Sequence, residues 1–327
     1  MYKSVLNLFD TQVAIKLIKD NFENKLAKKL NLTRVSAPLF VMKSSGLNDY
    51  LNGYERPVTF DAFSFTGEIE IVQSLAKWKR CALARYEFNE GFGLYTDMNA
   101  IRRDEELDAI HSMYVDQWDW EKIITKSQRR MCYLKKVVRN IYSVILSIAK
   151  DVTKNYPVLT YDLPDEIYFI TTKELEEMYP NLSSKEREYA ITKEKKAVFL
   201  MQIGLPLSNK LPHDGRAADY DDWRLNGDLL LWHEPLNIAL EVSSMGIRVD
   251  EVSLIKQLKV KKEMFKLEND YCKSIINKEL PYTIGGGIGQ SRLCMYFLKK
   301  AHIGEVQASL WPEDVVKECK EKNIILL

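Results

Sequence analysis

Residues 285–292 read Gly-Gly-Gly-Ile-Gly-Gln-Ser-Arg, and no other stretch of the chain restricts its fold so tightly. Three consecutive glycines, with a fourth at Gly289, leave the backbone bare, so that something packs close against it or φ turns positive. Arg292 then heads an apolar helix, where its guanidinium can reach a phosphate or lie flat on a purine. A glycine turn capping a helix that begins near Ser291 reads equally well from these residues alone. The segment lacks the Gly-Lys-Ser/Thr ending of a P-loop, and no acidic residue follows at the distance a dinucleotide-binding fold requires.

A nucleotide cradle needs a chain that can bury a core around it. With 46% hydrophobic and 28% charged residues in 327, this chain can build one substantial core or two modest ones. Its 47 basic and 46 acidic residues nearly cancel, which argues against nucleic acid as the main partner. The basic run 259–266 reads as a solvated helix face. Five scattered cysteines, without CxxC spacing or paired histidines, make neither a zinc site nor a disulfide framework. Residues 1–10 lack the cationic start and long apolar run of a secretion signal, and no window approaches about 18 uninterrupted apolar residues. A cytoplasmic location with no membrane partner is the expectation.

Apolar residues Ala14, Leu17, Ile18, Phe22, Leu26 and Leu30 recur at helical spacing after Asp10 or Thr11, either of which can cap the helix. Further helices are expected over 72–86, in the second half of 116–151, and over 252–276. Thr171 with Glu174 and Ser183 with Glu186 form capping boxes. Strands are expected at 110–118, 166–170, 197–203, 228–232 and 238–249, with Arg102 on a strand of its own. Strands and helices do not alternate regularly, and no repeat or linker divides the chain. The expectation is a single α+β domain over 1–327, with a central, mostly antiparallel sheet flanked by helices.

Polar residues gather where core strands ought to be apolar. In Asp219-Tyr-Asp-Asp-Trp223, followed by Asp228, carboxylates crowd together at a cost unless a cation or amine neutralises them; an isolated surface loop would carry them harmlessly. On the strand that follows, alternation puts Glu241 and Ser243 on one face and Ser244 on the other unless the strand bends. Asp228 and Glu241 together suit Mg²⁺, which prefers hard oxygen ligands and keeps waters and substrate phosphates. Gln117 and Asp119, two apart on a strand, project together and suit a zwitterionic amino acid, the carboxylate taking the ammonium; a polar strand end is the plainer reading. Lys79 lies five residues after Ser74, where a cationic helix face is the simplest account.

Taken with GLYTDMNAIRRDE at 93–105, these blocks resemble class II aminoacyl-tRNA synthetase catalytic domains, with Arg102 as the second-motif arginine and Arg292 as the third. The likeness is closest to the ammonia-dependent asparagine synthetases, the aspartate-ammonia ligases, and runs through VQSLAKWKR, HSMYVDQWDWE, RAADYDDW, LNGD, EVSSMGIRVD, TIGGGIGQSR and HIGEVQASLWP, nearly the whole chain. It implies ATP-dependent amidation. The aspartate β-carboxylate attacks the α-phosphate to give β-aspartyl adenylate and pyrophosphate, and ammonia displaces AMP. Arg102 is then expected to bridge carboxylate and α-phosphate, and Arg292 to hold the γ-phosphate end or the adenine. Glu105 is expected on the adenine side, with Gly287 and Gly289 in the ATP cradle. Asp228, Glu241 and Ser244 are expected in the Mg²⁺ and ribose region. Lys79, Gln117, Asp119 and Arg248 are expected to bind aspartate, with Ser74 and Ser243 close by. Asp49 and Asp221 are the candidates for receiving ammonium and removing its proton, because ammonia is almost wholly protonated near neutral pH. Two departures bear on lid closure: Arg103 stands where a proline is usual, and the stretch from DYDDW to LNGD is short.

The same resemblance implies a homodimer through residues 30–40, with Pro38. An aminoacyl-tRNA synthetase would share the adenylation site, but neither an anticodon-binding domain nor a basic appendage is expected beside a catalytic domain over 1–327. A catalytically silent scaffold would have no need of both arginines and all the acidic candidates. An amidotransferase domain with an N-terminal cysteine is not expected, and free ammonia is the expected nitrogen donor.

Overall fold

The structure, a computed structural model, describes residues 2–51 and 55–327. Helix α1 (Leu8–Leu30) is capped by Asn7, upstream of the expected Asp10 or Thr11: Asn7 Oδ1 accepts from the Asp10 backbone N–H at 2.8 Å, and Asp10 returns a side-chain contact. Strands β1 (Leu32–Arg34), β2 (Phe40–Met42), β3 (Thr59–Phe60) and β4 (Ile69–Ile71) precede helix α2 (Ala76–Arg85). The helix expected over 72–86 therefore starts later, Ser74 Oγ accepting from the Ala76 N–H at 3.2 Å to close its first turn. Next come β5 (Gly93–Ile101), β6 (Tyr114–Ile123), α3 (Met131–Asn155), β7 (Tyr168–Thr171), α4 (Thr172–Met178), α5 (Ser184–Lys195) and β8 (Ala197–Met201). Both expected capping boxes form, at α4 and α5.

The remaining elements are β9 (Asp221–His233), β10 (Ile238–Arg248), α6 (Glu251–Lys261), α7 (Asp270–Ile276), β11 (Thr283–Gly289), α8 (Gln290–Phe297) and α9 (Glu313–Glu321). Two expectations need correction. The helix expected over 252–276 breaks at Lys262, which turns left-handed (φ 59°), so that Tyr271, Cys272 and Ile275 fold back onto Leu254 and Leu258. Part of the DYDDW segment is strand: Asp221 already pairs with Arg248, and β9 runs unbroken from there through Asp228.

Among the described residues the main sheet has eight strands in the order β1-β5-β6-β11-β10-β9-β8-β7, parallel only at its two outer pairs, while β2, β4 and β3 form a small second sheet. This is the expected mostly antiparallel α+β architecture. One face of the large sheet is the core. Helices α1, α3 and α8 cover it with Phe22, Ile141, Ile145, Leu293 and their neighbours, and Phe22 stacks on Trp118 at 4.6 Å between ring centroids. Each such side chain fully buried stabilises the fold by roughly 1.5–3 kcal/mol. The opposite face is covered only in part, by α2 over β5 and β6 and by α4 and α5 over β7 to β9. The middle strands β6, β11 and β10 are left to line a cleft.

Candidate functional site

Strand β6 alternates Gln117 and Asp119, which line the cleft, and Glu121, buried against Arg248 on the same face, with Trp118 and Trp120 toward the core, and β11 lies beside it in antiparallel register. Gly289, Gly287 and Gly285 pair with Gln117, Asp119 and Glu121 in turn. A Cβ on Gly285 would sit 1.9 Å from Glu121 Oε2, and one on Gly287 would sit 2.1 Å from Gln117 Oε1. The glycines are required for space. None of the four has positive φ, so of the two readings the glycine turn falls away: the segment is a regular strand, and what packs close against it is the polar side chains of its own neighbour.

Those side chains are held by cations. Lys79 of α2 is buried; its Nζ donates to Asp119 Oδ1 and, at 3.1 Å, to the Gly286 carbonyl. Asp119 Oδ2 is left buried without a hydrogen-bond partner. Arg248 of β10 makes a two-pronged contact with Glu121, at 3.0 and 2.7 Å, and donates to Asp221 Oδ1 at 2.6 Å. Burial pushes the Glu121 carboxyl up, but the Arg248 guanidinium outweighs it and leaves Glu121 below its usual range. For Asp221 burial prevails over the same arginine, and the carboxyl stays raised.

The crowded carboxylates are neutralised one by one. Asp219 pairs with Lys77 Nζ at 2.7 Å, Asp221 with Arg248, and Asp222 with Arg129 at 3.1 Å and Arg224 at 2.7 Å. Asp49 stands near this group on a short segment pinned by Glu70, which accepts from Asn48 at 3.1 Å and from the Tyr50 hydroxyl at 2.9 Å. Burial lifts the Asp49 carboxyl to about 6, with Lys77 opposing and Asp219 adding to the rise.

Strand β10 does bend. Its register on β9 shifts between Glu241 and Ser243, so Glu241, Ser243 and Ser244 all line the cleft, and Ser243 Oγ donates to the Gly287 carbonyl at 2.8 Å. Asp228, opposite Ser244, does not itself line this cleft and is paired with Arg216. Burial raises its carboxyl to about 7, Arg216 pulling it down and Glu241 pushing it up. Arg102 sits one residue beyond β5, its Nη1 3.8 Å from Glu105 and its Nε buried without a partner. Arg292, third residue of α8, donates to the Glu241 carbonyl at 2.9 Å. Asp116 steadies the start of that helix: its Oδ1 accepts from Ser291 N–H at 3.0 Å, its Oδ2 from Ser291 Oγ at 2.8 Å and from Lys19 at 3.0 Å.

One cleft thus gathers Asp49, Ser74, Lys79, Arg102, Glu105, Gln117, Asp119, Asp221, Glu241, Ser243, Ser244, Arg248, Gly287, Gly289 and Arg292, and of the expected site residues Asp228 alone does not line it. Sequence reasoning missed Glu121, Lys77, Asp116 and Arg216. Glu121 was within reach, being the next step of the alternation that marks Gln117 and Asp119. The sequence carries no comparable signal for the other three, which act across the fold. Chemically, the cleft offers a carboxylate and amide for an ammonium-bearing substrate, two arginines for phosphate, and a buried carboxyl able to exchange a proton near neutrality.

A family model described as aspartate-ammonia ligase matches residues 9–323. An aspartate-ammonia ligase of Clostridium tetani is 61% identical over 327 residues, covering 100% of this chain and 96% of its own. One of Bacillus cereus (strain B4264) is 58% identical over 326 residues, covering 100% of both. Among solved structures, the asparaginyl-tRNA synthetase of Pyrococcus horikoshii complexed with asparaginyl-adenylate matches with a TM-score of 0.64 at 16% identity, over 93% of this chain and 70% of that one. That of Entamoeba histolytica, also with asparaginyl-adenylate, matches at 0.64 and 15% over 92% of this chain, which spans just under two thirds (66%) of the synthetase. These distant matches show the fold, a class II aminoacyl-tRNA synthetase-like core, and the full-length relatives show more: the chain belongs to the aspartate-ammonia ligase family.

Proposed function

We propose that this cleft holds L-aspartate and ATP side by side, joins the β-carboxylate to the α-phosphate, and delivers ammonia to the product. The family reaction is ATP-dependent synthesis of L-asparagine from L-aspartate and ammonia through a β-aspartyl adenylate, with release of AMP and pyrophosphate, and this chain is an enzyme of that family. Ammonia cannot displace oxide from a carboxylate; adenylation supplies a good leaving group. Gln117 and Asp119 receive the α-amino group, Lys79 holds Asp119 in place, and Arg248 takes the α-carboxylate, with Ser74 and Ser243 at the edge. Arg102 lies between the two anions that must meet, and its unpartnered Nε supports that role. Arg292 reaches the adenine or the far phosphate, Glu105 the adenine side, and Gly287 and Gly289 leave the strand open beside them. For the proton of ammonium, Asp49 is preferred to Asp221, whose Oδ1 is already taken by Arg248.

The observation that carries the reading is the convergence of both motif arginines and the amino-acid set on one cleft. Asp228 and Glu241 suit a Mg²⁺ ion: both are hard oxygen donors, and Asp228 Oδ1 is buried with no hydrogen-bond partner. Among the described residues no group of three or more such ligands gathers, in keeping with a metal that takes its remaining ligands from phosphate and water. When bound, the ion supplies charge compensation for the triphosphate. A homodimer through residues 30–40 is supported by Leu39 and Phe40, 48% and 49% exposed. A cytoplasmic setting agrees with five free cysteines. The test is pyrophosphate release with ATP, Mg²⁺ and aspartate, with ammonium chloride, with glutamine, or with neither. Steady release only with ammonium, with asparagine and AMP accumulating, is expected; release that depends instead on added tRNA would make the chain a synthetase.

A further inference from the structure

The cleft continues outward into a second cavity, whose wall carries Arg216 and Lys185 together with Arg102 and Arg292. Arg102, Glu241, Ser244 and Arg292 line both spaces, whereas Arg216 lines only the outer one. For a nucleotide whose α-phosphate lay beside Arg102, the outer space with Arg216 on its wall would be open to the β- and γ-phosphates. Nothing in the mechanism above uses this arginine. Its Nη2 donates to Asp228 Oδ2, and its Nη1 to the Gly215 carbonyl at 2.7 Å and Asp214 Oδ2 at 3.3 Å. The two partners of the main pair differ in support. Asp228 is fixed inside β9, while Arg216 belongs to the irregular stretch between β8 and β9, where a turn of the side chain re-aims the guanidinium.

Asp228 is also one of the two carboxylates suited to a divalent cation. A dication held there would relieve the arginine of its partner, and the guanidinium fork matches the oxygens of a phosphate. We propose that Arg216 is a phosphate-binding residue, which neutralises Asp228 in the nucleotide-free protein and passes to the β- or γ-phosphate of ATP when the nucleotide enters. The inference rests on the adenylation reading of the cleft. Carboxylates on the outer wall, Glu105, Asp214 and Glu241 among them, fit this exchange, since a bare anion would be repelled where a metal-bound triphosphate is not.

The experiment compares equilibrium binding of ATP, pyrophosphate and AMP, all with Mg²⁺, to the unaltered protein, Arg216→Gln and Arg216→Lys, with thermal unfolding of the same samples. For Arg216→Gln, ATP and pyrophosphate are expected to weaken about 10- to 100-fold, the loss of one charged hydrogen-bonded contact, and AMP to change by less than about twofold. Equal losses for ATP and AMP, or no loss for ATP, overturn the proposal and leave Arg216 a structural partner of Asp228. If Arg216→Gln does not fold, Arg216→Lys decides alone, since it keeps a cation beside Asp228 but lacks the fork: an unchanged ratio of ATP to AMP affinity overturns the proposal. Unaltered protein that binds no ATP, or releases no pyrophosphate with aspartate and ammonium, sinks the adenylation reading itself, whatever the variants do.

Discussion

Trp118 and Trp120 on one side of β6, and Asp119 and Glu121 on the other, are neighbours in sequence and equally buried, at 0–3% exposure. They are buried for different reasons. The tryptophans fill the space under α1 and α3, where removal of apolar surface from water stabilises the fold in proportion to area. The carboxylates gain little of that kind: each gives up hydration and recovers it only through a matched cation, Lys79 or Arg248, so such pairs are near neutral for stability and costly only when broken. What the polar face provides is order. Its groups are held at fixed positions before any substrate arrives, and some are left with unused capacity, among them Asp119 Oδ2 and, at the cleft's edge, Arg102 Nε.

Substitutions on the two faces should therefore fail in different ways. Trp118→Ala removes a fully buried ring stacked on Phe22 and is expected to cost about 3–5 kcal/mol in urea unfolding, with the KM for aspartate little altered in protein that remains folded. Arg102→Met is the converse. This side chain is 25% exposed and makes one loose pair with Glu105, so unfolding should shift by less than about 0.5 kcal/mol. Its rate of pyrophosphate release should fall about 100- to 1000-fold, the usual loss when a donor aimed at developing charge is removed. A large loss of stability in the second variant, or of aspartate affinity in the first, would erase the distinction between the faces.

Asp49 extends the contrast to a group whose burial opposes stability. Its carboxyl, raised to about 6 from the 3.8 of a free aspartate, binds a proton more tightly folded than unfolded. Stability therefore falls as pH rises between those values, by about 3 kcal/mol in all. Asp49→Asn should recover much of that at pH 8 and nothing at pH 3.5, while the rate with ammonium drops steeply. Denaturant titrations at the two pH values check the sign; a variant equally or less stable at pH 8 would mean that Lys77 already compensates the charge.

The face structure was largely legible, because alternation is a property of a strand by itself. Gln117 and Asp119 could be placed together from spacing, and the glycines opposite them marked as a close approach, although their neighbour turned out to be β6 itself. What stayed hidden was where the cations come from. DYDDW reads as a loop because its carboxylates repel, yet Asp221 begins a strand, since Arg248 of β10, Lys77 of α2 and Arg129 from the connection between β6 and α3 arrive to neutralise the run. Such pairings depend on tertiary placement, as does the break at Lys262, which no helix-breaking residue announces.

The glycines offer the finest test, because consecutive members of one tripeptide serve opposite faces. A Cβ at Gly286 would meet Met245 Cβ at 2.5 Å and the Ser244 carbonyl at 2.6 Å, atoms of a buried strand that cannot yield. Gly286→Ala should thus lose about 1–3 kcal/mol by overpacking. At Gly287 the obstacle is Gln117 Oε1, at 2.1 Å, the end of a side chain that can swing aside. Gly287→Ala should stay within about 1 kcal/mol of the original in unfolding. The displaced Gln117 should then raise the KM for aspartate about tenfold, the loss of one hydrogen bond of about 1.4 kcal/mol, and leave the KM for ATP nearly as it was. If Gly287→Ala instead loses stability as Gly286→Ala does, Gln117 is locked in the core and is no part of a substrate site; if it binds aspartate normally, the amide is not among the groups that hold the amino acid.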